Sequence, residues 1–273
     1  MRNAFAGCAG LLLLLGSALA TAESNSAKAA KPKAGERLNF VSCPIVRDTE
    51  MVPCWLAEHD GELYYLGIQL DLQSEFFPPQ LKHDALVEGV VSDKPRICGG
   101  IVLDPVKVAS LPELNPLCNT ILPAEGYKID NARRGTGPDP INLSATNQRK
   151  ARQVEQYSPP FQPRTFTVYF DFDSEYMPSR STRVVTEVMR YATSANAKKV
   201  VITALRGSAL LSDGTKLSEQ AALPEIRAKK IQASLADIGV AAATISSSWQ
   251  QAAAPADGID DFETRRVEIV VTP

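Results

Sequence analysis

The C-terminal part of the chain carries charged side chains whose types and spacing could do chemistry. Asp171 and Asp173 follow a strand-like run, Arg227 lies near the start of a helical stretch, and Arg265 and Arg266 precede a final strand-like run. The two aspartates are separated by one residue, and this spacing is poor geometry for paired acid–base catalysis. A carboxylate and a guanidinium can instead bind the ammonium and carboxylate groups of a ligand. The pattern therefore favours recognition over catalysis.

Other catalytic signatures are absent from the sequence. It contains no G-x-S-x-G, no phosphate-binding glycine loop and no metal-ligand spacing. Its two histidines, His59 and His83, each lie beside an aspartate in polar surroundings, which is more typical of solvated surface residues than of a metal pair. We therefore predict that the protein is not an enzyme and that it needs no cofactor and no metal.

Strands and helices alternate over residues 164–273. Phe166, Val168 and Phe170 alternate with polar neighbours, which predicts a half-buried strand that ends at the two aspartates. The elements predicted after it are a helix from about Ser181, a strand at Val200–Ile202, a helix ending near Ile238 and a last strand at Arg266–Val271. This order predicts an α/β sandwich of the βαβαβ type, with the helices on one face of the sheet.

Four segments of this region resemble a known family. They are Val168-Tyr-Phe-Asp-Phe-Asp-Ser174, Val200-Val-Ile202, Ile226-Arg-Ala228 and Arg265-Arg-Val-Glu-Ile269. In this order they are similar to the OmpA-like C-terminal domain, a peptidoglycan-binding module of Gram-negative envelopes. The resemblance covers residues 164–273 only. It implies that the ligand is the diaminopimelate residue of the peptidoglycan stem peptide, which presents an ammonium and carboxylates.

The resemblance assigns ligand-binding roles to individual residues. Arg227 matches the family's arginine, which would bind a ligand carboxylate. The family's Gly-His-Thr-Asp turn is replaced by Thr203-Ala-Leu-Arg-Gly207, so its aspartate falls on Gly207. Asp213 precedes Arg227 by 14 residues and is the acid in the loop that replaces this turn. Two alternatives stay open: Asp213 replaces the missing acid, or the module has lost the ligand and kept only the fold.

The resemblance brings in two further candidates, Asp173 and Arg266. Arg265 and Arg266 match the family's basic pair before the last strand. We expect one arginine of the pair to bond Asp171 or Asp173 as a structural contact, and the other is left open as a ligand contact.

The N-terminal sequence indicates export. Residues 1–22 have a positive Arg2, an apolar run and an Ala20-Thr-Ala22 cleavage site, as a secretory signal peptide does. No long apolar run follows, so we predict no transmembrane segment in the mature chain. Four of the five cysteines remain after cleavage, and an even number in an exported domain predicts two disulfides. These are Cys43, Cys54, Cys98 and Cys118. Three pairings are possible, and the sequential one closes the shortest loops, so we favour it.

Composition and punctuation divide the rest of the chain. With 44% hydrophobic residues and a net charge of −2, the chain can bury a core, and disordered and nucleic-acid-binding classes are disfavoured. Short strand-like runs separated by turn signals predict a small β-barrel or sandwich, OB-like or SH3-like, so that the whole chain is α+β. The predicted divisions are a tether at 23–36, a disulfide-bonded β domain at 37–123, a linker at 124–163 and the OmpA-like domain at 164–273.

These observations lead to three functional hypotheses. The first is a non-catalytic periplasmic protein, associated with the outer membrane, that binds peptidoglycan and has outer-membrane proteins as further partners. The second is a periplasmic scaffold or assembly protein whose OmpA-like domain has lost glycan binding. The third, a glycan-processing enzyme, would need a cleft that the sequence does not reveal.

Overall fold

The computed structural model describes residues 31–50, 52–68, 76–127 and 157–273. The predicted signal peptide, most of the predicted tether and residues 128–156 of the predicted linker lie outside the described residues. No helix in the described ranges is both long and apolar enough to cross a membrane.

The described residues up to 127 form an N-terminal lobe built on one seven-stranded sheet. Its strands are β1 (Arg37–Ser42), β2 (Pro44–Arg47), β3 (Cys54–His59), β4 (Glu62–Gly67), β5 (His83–Val91), β6 (Ile101–Leu114) and β7 (Thr120–Leu122). The order across the sheet is β1-β5-β6-β4-β3-β2-β7. The pairs β4–β6 and β2–β7 are parallel and the others are antiparallel. The predicted strands are present, and the barrel or sandwich form stays a prediction.

A tight hairpin joins β3 to β4. His59 faces Glu62 in the register, and Asp60 and Gly61 both have positive φ, 52° and 76°. Positive φ at both central residues is the requirement that the Asp-Gly pair satisfies in a two-residue turn. The Asp-Gly dipeptide therefore forms the turn of this hairpin.

Both disulfides are present, but the favoured sequential pairing is wrong. The bonds join Cys43 to Cys118 and Cys54 to Cys98. Cys54 opens β3 and Cys98 lies just before β6, and the two strands are brought near each other because both pair with β4. The loops closed are therefore long, 75 and 44 residues. Loops of this length correspond to about 4 kcal/mol of stabilisation per disulfide in the chain-entropy treatment.

The described residues from 157 onward form the C-terminal lobe, with a four-stranded sheet and two helices. Its elements are β8 (Arg164–Tyr169), α1 (Ser179–Ser194), β9 (Lys199–Arg206), a hairpin of β10 (Ser208–Leu210) and β11 (Lys216–Ser218), α2 (Leu223–Asp237), β12 (Ile245–Ala253) and β13 (Arg266–Thr272). Short 3-10 turns occupy Ala242–Thr244 and Asp261–Thr264. The sheet order is β12-β9-β13-β8, and only β9 and β12 run parallel.

The core of the C-terminal lobe lies between this sheet and the two helices. The apolar stripe of α1 is buried at Val185, Val188 and Ala192, with Met189 partly buried beside them. The apolar stripe of α2 is buried at Ala228, Ile231 and Leu235. Ile238, near which the sequence predicts the end of this helix, is exposed, and the helix ends at Asp237. Gly239 then turns the chain at φ +104°, as a helix-terminating glycine does.

The two lobes share a hydrophobic cluster. Leu86 and Ala109 of the N-terminal lobe pack with Phe172, Ala209 and Leu211 of the C-terminal lobe. Two of the C-terminal members belong to the β10–β11 hairpin and the turn that follows β10. The hairpin is therefore a contact element between the lobes. Whether each lobe folds alone stays a prediction.

Candidate functional site

Arg227 is completely buried and held by four hydrogen bonds. It is the fifth residue of α2, one position beyond the first turn where sequence reasoning placed it. Its Nη1 donates to Glu219 Oε2 at 2.9 Å and its Nη2 to Glu219 Oε1 at 2.6 Å. Its Nε donates to the carbonyl of Ser174 at 2.9 Å, and Nη2 also donates to the carbonyl of Asp171 at 3.1 Å. The guanidinium lies 4.7 Å from the centre of the Phe170 ring, a cation–π distance.

Glu219 is equally buried, and its carboxylate accepts two more hydrogen bonds from the backbone. The N–H of Gly207 donates to Oε2 at 2.7 Å and the N–H of Asp173 donates to Oε1 at 3.2 Å. Neither Glu219 nor Arg227 exposes any side-chain surface. A fully desolvated carboxylate needs this number of donors, since an unpaired buried charge is strongly destabilising.

Gly207 leaves no room for a side chain. A Cβ atom at this position would lie 2.2 Å from Cγ of Arg265 and 2.9 Å from Oε2 of Glu219. Sequence comparison placed the family's aspartate here. In this chain the space that such a side chain would enter is filled by Arg265 and Glu219.

Arg265 connects this buried cluster to the N-terminal lobe. Its Nη2 donates to Glu88 Oε2 of β5 at 2.5 Å, and both side chains are buried. Its guanidinium lies 5.7 Å from the centre of the Phe172 ring. Among the described residues, its Nε and Nη1 have no hydrogen-bond partner. Burial raises the pKa of the Glu88 carboxyl, and the Arg265 charge partly offsets this shift.

Arg266 makes only local contacts. Its Nε donates to Glu268 Oε1 at 2.8 Å and its Nη1 to the carbonyl of Glu263 at 2.7 Å. In the part of the chain that the structure describes, neither Arg265 nor Arg266 hydrogen-bonds Asp171 or Asp173. The expected structural contact of the basic pair is thus made by Arg265, and its partner is Glu88 of the other lobe.

Asp173 lies at the rim of the buried pair. It has a positive φ of 51°, and its Oδ1 accepts the N–H of Gln220 at 2.7 Å. Its own N–H donates to Glu219. Burial raises the pKa of Asp173, and the Gln220 N–H partly offsets the rise. Asp173 therefore contacts two adjacent residues, Glu219 through its backbone and Gln220 through its side chain.

Among the described residues, Asp213 is not hydrogen-bonded to this cluster. It is fully exposed in the turn between β10 and β11, where its Oδ1 accepts the N–H of Thr215 at 2.8 Å. This N–H holds the pKa of Asp213 below its ordinary value. The acid bound to Arg227 is Glu219, which sequence reasoning missed. The available signal was an acid eight residues before the arginine, just beyond the loop where the missing carboxylate was sought.

The described residues contain one group that resembles a metal site. Asp84 lies beside Cys43 and Cys118, and their ligand atoms are within 4.8 Å of one another. Both sulfurs belong to one disulfide, so neither offers the thiolate that a metal requires. The Asp84 side chain instead accepts a hydrogen bond from Asn115 Nδ2 at 3.0 Å.

Comparisons with known proteins found matches among solved structures. No protein-family model and no curated protein matches the chain. The OmpA-like domain of FopA1 from Francisella tularensis subsp. tularensis SCHU S4 is 14% identical, with a TM-score of 0.32, over 42% of this chain and 77% of that one. The periplasmic domain of Helicobacter pylori MotB is 17% identical, with a TM-score of 0.33, over 43% of this chain and 79% of that one. A putative MotB-like protein from Desulfovibrio vulgaris is 13% identical, with a TM-score of 0.31, over 40% and 73%. The structural neighbours are thus OmpA-like and MotB-type domains, and the resemblance covers a segment of the chain.

Proposed function

We propose that this protein is a non-catalytic component of the peptidoglycan-containing envelope and that its C-terminal lobe is a scaffold for its N-terminal β lobe. The two disulfides fit an oxidising, extracytoplasmic compartment. The N-terminal sequence predicts export to such a compartment. Association with the envelope is the general part of the proposal, and the scaffold role is its specific part.

The observation that carries the scaffold role is the occupation of the Arg227 site by the chain itself. The guanidinium that would bind a ligand carboxylate already binds Glu219 with both terminal nitrogens. The space beside Gly207 is filled as well. A ligand would have to displace the buried Glu219 carboxylate from its four hydrogen-bond donors. Binding of the ligand would be favourable only if the ligand formed all four hydrogen bonds in its place.

Contacts around the site support the scaffold role of the C-terminal lobe. Asn39 of β1 is buried and donates through Nδ2 to the carbonyls of Leu210, at 3.1 Å, and Gly258, at 2.9 Å. Its backbone N–H donates to Ser212 Oγ at 2.9 Å, and its carbonyl accepts the Ser212 N–H at 2.8 Å. The Glu88–Arg265 pair lies beside these bonds in the same interface. The β10–β11 hairpin and the segment before β13 therefore both contact β1 and β5.

More peripheral contacts extend the interface. Arg37 forms an exposed ion pair with Asp260 at 3.0 Å. Lys107 lies 5.1 Å from the centre of the Phe262 ring. Exposed pairs of this kind contribute little to stability, on the order of 0–1 kcal/mol each, so the buried contacts dominate.

The second candidate is peptidoglycan binding through Arg227, with Asp213, Asp173 and Arg266 as further contacts. What favours it is the position of Arg227 in the segment that resembles the family. In this arrangement the Glu219 side chain would have to leave the guanidinium before the diaminopimelate carboxylate could bind.

Pelleting with purified diaminopimelate-type sacculi distinguishes the two candidates. The chain from Glu23 onward should pellet no more than an unrelated protein of similar charge. Saturable pelleting that soluble stem peptide reverses would overturn the scaffold role. In that case Asp213→Asn and Arg266→Ala, which change partly or fully exposed side chains, would show whether those residues contact the ligand.

A further inference from the structure

The buried Glu219 carboxylate has the environment of a bound ligand. Its two oxygens receive two guanidinium and two backbone hydrogen bonds, from Arg227, Gly207 and Asp173. Bidentate arginine contacts together with backbone N–H groups are the means by which proteins bind free carboxylates. All four donors point at one carboxylate, although that carboxylate belongs to the same chain.

Arg227 is also held by contacts that do not involve the Glu219 carboxylate. Two of the four hydrogen bonds of Arg227 go to the carbonyls of Ser174 and Asp171, which do not involve Glu219. The Phe170 ring lies against the guanidinium on one face. The backbone donors follow β9 and β8, both strands of the central sheet. The position of the Arg227 guanidinium therefore does not depend on Glu219 alone.

We infer that the Arg227 cluster is a carboxylate receptor whose resident ligand is Glu219, and that it binds a small free carboxylate of the acetate class when this side chain is shortened. The inference deepens the proposed function, because it rests on the same self-occupied site. The wild-type protein binds no external carboxylate there, because the tethered Glu219 competes at a high effective concentration.

Glu219→Ala is the variant that fits this idea. It removes the terminal CH₂ and carboxylate of the side chain, and acetate supplies a methyl group and a carboxylate of the same size. Without acetate the buried Arg227 charge loses its partner, so the melting temperature of the variant should fall. Acetate binds only the folded state, so the folding equilibrium constant of the variant should rise about ten-fold for each ten-fold increase in acetate above its dissociation constant.

Thermal unfolding in sodium acetate and in sodium chloride of equal ionic strength tests the inference. The melting temperature of Glu219→Ala should rise with acetate and not with chloride. Glu219→Gln is the matched control, because it keeps the volume of the side chain and leaves no space for acetate. Propionate, one methylene longer, should stabilise Glu219→Ala less than acetate does, since Glu219 is fully buried and the space left by its removed CH₂ and carboxylate matches acetate.

A second measurement covers the case in which Glu219→Ala does not fold in chloride. The variant is diluted from denaturant into acetate or chloride, and the recovered folded fraction should be higher in acetate. Equal recovery in both salts, or equal acetate stabilisation of the wild type, Glu219→Gln and Glu219→Ala, would overturn the inference. The sacculus experiment uses the wild-type chain, so the two can fail separately. Pelleting of the wild type with acetate rescue intact would refute the scaffold role alone, and absent rescue without pelleting would refute the receptor alone.

Discussion

Replacing Gly207 with alanine should destabilise the protein through one steric conflict. The added methyl group would lie 2.2 Å from Arg265 Cγ and 2.9 Å from Glu219 Oε2. Carbon atoms in good contact are about 3.5–4.0 Å apart, so at least one neighbour must move by more than an ångström. Both neighbours are held, Arg265 by Glu88 and Glu219 by four donors.

The expected loss follows from these restraints. Adding a methyl group to a packed interior typically costs about 1–3 kcal/mol of unfolding free energy. We expect the upper end, about 3 kcal/mol, because neither neighbour can retreat without breaking a buried charge-assisted contact. Denaturant unfolding followed by circular dichroism would measure the change, with an unchanged slope against denaturant indicating that only stability changed.

Two backgrounds separate this steric explanation from a loss of backbone freedom. Arg265→Ala removes Cγ, whereas Arg265→Met removes the charge and keeps Cγ. The loss caused by Gly207→Ala should fall to about 1 kcal/mol in the first background and stay near 3 kcal/mol in the second. A loss below about 0.5 kcal/mol in the wild-type background, or an equal loss in all three, would contradict the steric explanation.

Three further predictions concern titration, thiols and exposed charge. Burial raises the pKa of Glu88 above its ordinary 4.5; Arg265 opposes this rise, and nearby carboxylates add to it. Between the unfolded and the folded pKa the folded state therefore holds a proton that the unfolded chain has lost. This contribution to stability is full below about pH 4.5 and declines as the pH rises through the folded pKa. Over this pH range the unfolding free energy of the wild type should therefore fall relative to that of Glu88→Gln. A difference that stays constant with pH would refute the assignment. A chain that begins at Glu23 should show no reactive thiol when it is denatured without reductant, and two or more would contradict the paired cysteines. Asp213→Asn should leave the unfolding free energy nearly unchanged, whereas Arg227→Ala should lower it by about 3–5 kcal/mol; a partnership between the two side chains would make both changes costly.

The sequence predicted the elements of the C-terminal lobe that have a periodic apolar pattern. The first strand, both helices and the last strand lie where alternation or helical spacing placed them. It missed β12, Ile245–Ala253, because this edge strand is rich in serine and glutamine and owes its conformation to pairing with β9. It also treated the β10–β11 hairpin as a long loop, since two three-residue strands are too short to show a period.

The same periodic patterns do not predict which residues far apart in the sequence come into contact. The preference for short disulfide loops was wrong because sheet order, and not sequence distance, decides which cysteines meet. Glu219 was missed for a related reason. A motif fixes the position at which an acid is expected, but a carboxylate can reach the same guanidinium from another position on the chain.

Gly207, Glu219 and Arg265 form a set in which each residue explains the others. Without a side chain at 207, Glu219 can reach Arg227 and accept the Gly207 N–H, and Arg265 can pass close to the backbone on its way to Glu88. An aspartate at 207 would put its Cβ into Arg265 and a second carboxylate beside Glu219, where burial and like charge both act against it. The arrangement with an acid at this turn and the arrangement with a resident Glu219 therefore exclude each other. A chain with the second arrangement has used its carboxylate-binding arginine to join its own parts, so a search for its external partner should begin on the N-terminal lobe that this site helps to hold.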